Sequence, residues 1–245
     1  MDSFYISLAF GGAAACANVV GGLLVTIKQR WDEALLKHFV ALGAGFMLGA
    51  AFLGMMPESI RLTDHAPLLL LLGYLLIHFF EHTLASHFHF GEETHVEAVL
   101  APSVSLFALI GLLIHTFFDG VSIASGFHVG TGLGVLIFVA VALHKIPEGF
   151  TVGSIMLASG RNRRAAMASS IALGLSTIFG VLCASFLEGL LGYRLALSAG
   201  VMIYVAASDL IPEVNREKGV LMAVMVFVGV LLFYLTERLL SGLGF

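Results

Sequence analysis

Two segments of this 245-residue chain carry the same chemistry-bearing pattern. One reads His115-Thr-Phe-Phe-Asp119-Gly120 and the other His144-Lys-Ile-Pro-Glu148-Gly149. Both are His-x-x-x-acid-Gly. Residues four apart on a helix share a face and lie about 6 Å apart along the axis. Each segment therefore offers one imidazole and one carboxylate on a single stripe. Two antiparallel stripes facing each other make a cage of two nitrogens and two carboxylates. That donor set suits Zn2+, Fe2+, Co2+, Ni2+ or Mn2+. It is too rich in nitrogen for Ca2+ or Mg2+. Pro147 cannot donate to the carbonyl of Leu143 and clashes with it, which predicts a kink at the site. Gly120 and Gly149 allow neighbouring helices to approach closely.

The elements that carry these motifs are strongly apolar. The chain is 59% hydrophobic and only 11% charged, with a mean hydropathy of +1.00. A soluble domain carries about 25% charged residues. Repeated apolar runs of roughly 20 residues match a bilayer core about 30 Å thick. An unpaired charge in mid-bilayer costs at least about 2.5–3.5 kcal/mol. Four ionisable residues in two copies of one motif therefore point to function rather than to structural polar contacts. The net charge of -4 argues against nucleic acid as a partner. Cys16 and Cys183 both lie in apolar stretches and read as small buried hydrophobes rather than a disulfide or metal pair. The opening MDSFYISLAF lacks a basic region, so it reads as the start of a mature span rather than a cleaved signal.

Polar punctuation predicts eight spans over residues 4–27, 34–58, 67–86, 99–126, 131–158, 166–190, 193–213 and 219–243. A lone strand cannot satisfy its backbone in lipid, so each span must be helical. The breaks are short and leave no room for a soluble domain, so residues 1–245 form a single transmembrane domain. Lys28, Arg30, Lys37, Arg161, Arg163, Arg164, Arg216 and Lys218 fall on one side; Arg61, Arg194 and Arg238 fall on the other. Eight against three makes the first side cytoplasmic and turns both termini outward. An internal repeat agrees. AGFMLGAAFLGMMPE (44–58) aligns with AGVMIYVAASDLIPE (199–213) at an offset of 155, and GYLLIHFFEH (73–82) with GVLLFYLTER (229–238) at 156. In this topology the second and seventh spans run in opposite directions, so the repeat is inverted, an arrangement typical of secondary transporters with a mid-membrane site.

These residues give the chain a resemblance to the ZIP (zinc/iron permease) family of divalent metal transporters. The HKIPEG of the fifth span resembles that family's signature closely, and the likeness covers essentially the whole chain. The resemblance implies an all-α integral membrane fold of eight transmembrane helices in a 3+2+3 arrangement with inverted repeats. It implies metal uptake toward the cytoplasm by alternating access, with His115, Asp119, His144 and Glu148 ligating the transported ion. It suggests Met47 in the second span as a soft neighbour of the site. Zn2+ is the favoured cargo, with Fe2+, Cd2+, Co2+, Ni2+ and Mn2+ as further candidates, and no resident cofactor is expected. A plasma or bacterial inner membrane is the expected location, and a homodimer is one assembly kept open.

Many proteins of that family hold a second, adjacent metal. Its ligands follow the fourth-span and fifth-span histidines directly and include a sixth-span Glu. Here those places read Thr116, Lys145 and Thr177. The expectation is that Lys145 replaces the second ion electrostatically, pairing with Asp119 and Glu148, so that the centre takes one ion. A further cluster, His78, Glu81 and His82 of the third span with His87, His89 and His95 of the following loop, is a candidate cytoplasmic exit site. Glu58 and Asp64 are candidates for the entrance, and Asp209 and Glu213 for the exit. Two competing functions are a zinc-dependent intramembrane hydrolase and a metal sensor. The chain has no His-Glu-x-x-His and no Gly-x-Ser-x-Gly elbow, and an enzyme needs no symmetry between two membrane faces, so no enzyme is expected.

Overall fold

A computed structural model describes residues 3–27, 33–84, 102–215 and 220–243. Among these the chain is helical throughout, with no strand. Among the described residues eight helices are long and apolar enough to cross a membrane: α1 (Ser3–Ile27), α2 (Lys37–Leu62), α3 (Ala66–Thr83), α4 (Ser105–Val129), α5 (Thr131–Ala158), α6 (Arg163–Phe186), α7 (Leu191–Leu210) and α8 (Val220–Gly242). They correspond one for one to the eight predicted spans. Several boundaries shift by a few residues, the second span running to Leu62 and the sixth ending at Phe186, and two of the shifts have a visible local reason. The expected break at 128–132 shrinks to Gly130, because His128 Nδ1 donates to the Ala124 carbonyl at 2.7 Å and the helix runs on to Val129. The sixth helix starts at Arg163 rather than 166, because the Asn162 side chain caps it by accepting from the Ala165 amide at 2.9 Å.

α5 lies at the centre, packed by α1, α4 and α6, with α2 along another side. α3 rests on α7 and α8 rests on α2. These two outer helices bury the smallest share of their length and turn Leu68, Leu71, Phe79, Phe227 and Leu235 outward, as a lipid-facing surface requires. Cys16 also faces outward, which corrects its reading as a buried hydrophobe: it falls on the side of α1 away from α5 and α6. Cys183 is half-buried, and neither cysteine is in a disulfide.

The repeat found in the sequence has matching backbone detail. α2 widens into a π turn at Ala50–Met55 and α7 does so at Val205–Leu210, again 155 residues apart. The wide hydrogen bond is the same in both: Met56 donates to the Ala51 carbonyl, and Ile211 to the Ala206 carbonyl. Pro57 and Pro212 follow immediately. A proline cannot donate to the carbonyl four residues back, and a one-residue widening of the ladder just before it re-routes the bonds. The tight contacts repeat too. A Cβ at Gly45 would strike the Val226 carbonyl, and one at Gly229 the Leu42 carbonyl. In the other half, Gly200 meets the Leu70 carbonyl and Gly73 the Leu197 carbonyl. Every partner in the first pair of contacts maps onto its counterpart in the second. The α2–α8 and α7–α3 interfaces are therefore the same glycine contact made twice.

Candidate metal centre

The two motifs meet where α4 and α5 cross beside α1 and α6. His115, Asp119, His144 and Glu148 are all buried, and one candidate ligand atom from each lies within 4.8 Å of the others. Among the described residues they form the one such group of three or more His, Cys, Asp and Glu side chains. His115 Nε2 stands 3.1 Å from Asp119 Oδ2 and His144 Nε2 3.4 Å from the same oxygen. The two imidazoles tilt toward each other with centroids 5.5 Å apart. His144 Nδ1 donates to the Ala140 carbonyl at 3.0 Å, which fixes the ring and leaves Nε2 to face the cage. One cage atom, Glu148 Oε1, is buried and has no hydrogen-bond partner among the described residues. Polar atoms of this kind are costly unless something completes them. Two imidazole nitrogens and two carboxylates at this spacing can converge on one divalent ion.

Lys145 is fully buried at the heart of this cage. Its ammonium donates to Asp119 Oδ2 at 2.6 Å and to Glu148 Oε2 at 2.7 Å. The pairing expected from the sequence is therefore present, and a single cation sits between the two acids. Thr116 and Thr177 are both buried, but their hydroxyls are used within their own helices. Thr116 donates to the Leu113 carbonyl at 3.1 Å and Thr177 to the Leu173 carbonyl at 3.3 Å. α5 passes through Pro147 as one continuous helix. Met47 is fully buried in the apolar core one turn beyond Gly43, which sits against the Leu143–His144 backbone.

One polar residue of the site is absent from the sequence reading. Asn18 of α1 is fully buried against α5. The hydrogen-bond network sets its amide so that Nδ2 donates to the Lys145 carbonyl at 2.7 Å and reaches Glu148 Oε2 at 3.3 Å. The packing around it is glycine-made. A Cβ at Gly149 would strike the Asn18 carbonyl, and one at Gly21 the Ile146 carbonyl. The α4 side repeats this: Gly120 meets the Thr177 carbonyl and Gly180 the Phe117 carbonyl. Asn18 thus stands to α5 as Thr177 stands to α4. The signal was available as Asn18-x-x-Gly21 matching Thr177-x-x-Gly180. Its offset of 159 differs from the 155 of the other repeat and hides it.

At the far end of α3 the rings of His78 and His82 lie 4.0 Å apart, tilted by 38°, and both residues are exposed. Glu81 turns inward and accepts from the Tyr204 hydroxyl at 2.9 Å. Asp209 is buried on the π turn of α7. His87, His89 and His95 lie outside the described residues, as does the side chain of Glu213. Glu58 forms a bidentate pair with Arg61, and Asp64 lies at the exposed turn that follows.

Comparison with known proteins gives a consistent result. Residues 97–237, more than half the chain, match the profile of a family described as ZIP Zinc transporter. The chain is 32% identical over 130 residues to the mouse zinc transporter SLC39A7; the match covers 49% of this chain but only 27% of that relative's length. The human counterpart gives the same identity, with 28% of its length covered. The chain is 25% identical over 268 residues to the zinc transporter ZIP9 of Xenopus tropicalis, covering 88% of this chain and 87% of that protein.

Proposed function

Because the chain belongs to the ZIP zinc transporter family, we propose that it carries a divalent transition metal, Zn2+ first, across the membrane toward the cytoplasm, by way of the cage on α4 and α5. The observation that carries this reading is the group of four buried donors, His115, Asp119, His144 and Glu148, in a chain of eight membrane-spanning helices. Four convergent ligands suit a transition metal. Burial of carboxylates at mid-span makes sense where an ion must pause on its way through.

In this reading the helices form a 3+2+3 arrangement. α1–α3 and α6–α8 are inverted repeats, and α4 and α5 bear the site between them. The paired glycine contacts and paired π turns support the repeat, and the Lys and Arg distribution supports outward termini. The centre takes one ion. Lys145 holds the place of a second, neutralising one charge of the Asp119–Glu148 pair when no ion is bound. Alternating exposure of the site to the two sides moves the ion. His78, His82 and the neighbouring acids Glu81 and Asp209 serve the exit.

Uptake by purified protein in liposomes tests the proposal. Zn2+ flux is expected with the native chain and should fall to the leak of empty vesicles for His144→Ala. An absence of flux with Zn2+, Fe2+, Co2+, Ni2+, Mn2+ and Cd2+ alike would defeat the transport reading. Native flux in the His144→Ala protein would remove the cage from the path.

A further inference from the structure

The buried amide of Asn18 makes the two oxygens of Glu148 unequal. Oε2 receives the Lys145 ammonium at 2.7 Å and the Asn18 amide at 3.3 Å. Oε1 is buried and receives nothing. An ionised carboxylate has about four lone-pair positions, two on each oxygen. Two donors on Oε2 use both of its positions. Both donors are rigidly held. Lys145 has no exposed surface and bridges to Asp119 at 2.6 Å. Asn18 is anchored by its second bond, to the Lys145 carbonyl at 2.7 Å. Its backbone is pinned against Gly149, where any added side chain would push α1 away from α5.

The α4 half of the cage has no such device. Thr177 occupies the place equivalent to Asn18, but its hydroxyl bonds to Leu173 of its own helix. It makes no comparable hold on Asp119. Asp119 is also loaded on one oxygen, Oδ2, but by Lys145 and the two cage imidazoles; the donor from a neighbouring helix outside the cage falls on Glu148 alone.

We infer that Asn18 is a specificity-determining residue: by occupying Glu148 Oε2 together with Lys145, it confines Glu148 to a single oxygen toward the ion and favours Zn2+ over Mn2+. The inference rests on the central-site reading above. With Glu148 bound through Oε1 alone, the cage offers four single-point donors, the number and type that a tetrahedral Zn2+ prefers. Mn2+ prefers six, mostly oxygen. It would gain from a carboxylate that can bind through both oxygens, and Asn18 denies it that gain. Partners of ligating groups commonly change metal affinity by about 10–100-fold when removed.

Two variants and one direct observation test this. Asn18→Leu keeps nearly the native shape and removes the donor; Asn18→Ala removes donor and bulk. Competitive binding of Zn2+ against Mn2+ by the purified full-length protein is expected to lose about tenfold of its Zn2+ preference in both variants. X-ray absorption on the Zn2+-loaded native protein should give two nitrogens and two single-point carboxylate oxygens. An additional oxygen should enter the shell in the variants. A bidentate carboxylate already present in the native shell overturns the inference without any variant. So does an unchanged Zn2+/Mn2+ preference in both. If native ion binding survives His144→Ala, the central-site reading itself has failed. Central binding intact with Asn18 silent overturns only the present step.

Discussion

Replacing Lys145 by alanine should turn the chain into a protein whose folding depends on its cargo. Lys145 has no exposed surface, and its ammonium donates to Asp119 Oδ2 at 2.6 Å and Glu148 Oε2 at 2.7 Å. Removing one member of a buried ion pair costs about 3–5 kcal/mol, because the remaining charge is left without compensation. Here two carboxylates are left, both buried. For a chain of this length each kcal/mol shifts a melting temperature by about 2–4 °C, so the ion-free variant should melt about 6–20 °C below the native protein. A bound divalent ion supplies the missing positive charge. Saturating Zn2+ should therefore raise the variant far more than it raises the native protein and close most of the gap. Thermal melts in detergent, with a chelator and with Zn2+, measure both shifts. Equilibrium dialysis on the same samples counts the ions. The count should stay at one per chain, because Thr116 and Thr177 spend their hydroxyls on Leu113 and Leu173 and build no second ligand set. Equal melting deficits with and without Zn2+ would refute the electrostatic role of Lys145. A count of two would refute the idea that the second site is absent from this chain.

Two further predictions concern the surroundings of the cage. Gly45→Ala and Gly200→Ala each drive a methyl group into a carbonyl, of Val226 and of Leu70 respectively. Each should destabilise by about 1–3 kcal/mol, and by similar amounts, since the two contacts are equivalent; melting temperatures that differ widely would argue against that equivalence. Replacing His78 and His82 together by alanine should slow Zn2+ release into liposomes while leaving the central ion count at one. An unchanged uptake rate would remove this histidine pair from the exit path.

Much of the architecture was legible in the chain because lipid imposes strict rules on it. No solvent competes for backbone hydrogen bonds in a bilayer, so apolar length alone announces a helix, and all eight spans were found. The boundary shifts at Gly130 and Asn162 depend on single side chain-to-backbone bonds, from His128 to Ala124 and from Ala165 to Asn162. Such bonds leave only a weak trace in hydropathy. Cys16 was misplaced because an apolar stretch does not say which of its faces is buried. That depends on where α5 and α6 lie against α1.

The central site divides in the same way. The sequence by itself determined the donors: charge in mid-span is expensive, so His115, Asp119, His144, Glu148 and Lys145 stand out against an apolar background, and helical spacing places each His and its acid on one stripe. Only the tertiary structure decided how those donors are used. It brought the two stripes within 4.8 Å, set the Lys145 ammonium between both acids, and turned the Thr116 and Thr177 hydroxyls back on their own helices. It also brought Asn18 across from α1 to one oxygen of Glu148. Residue types and spacing along one helix record what a side chain can donate. Which lone pair it takes depends on close approach between helices far apart in the chain, and here glycines at 21, 120, 149 and 180 permit that approach.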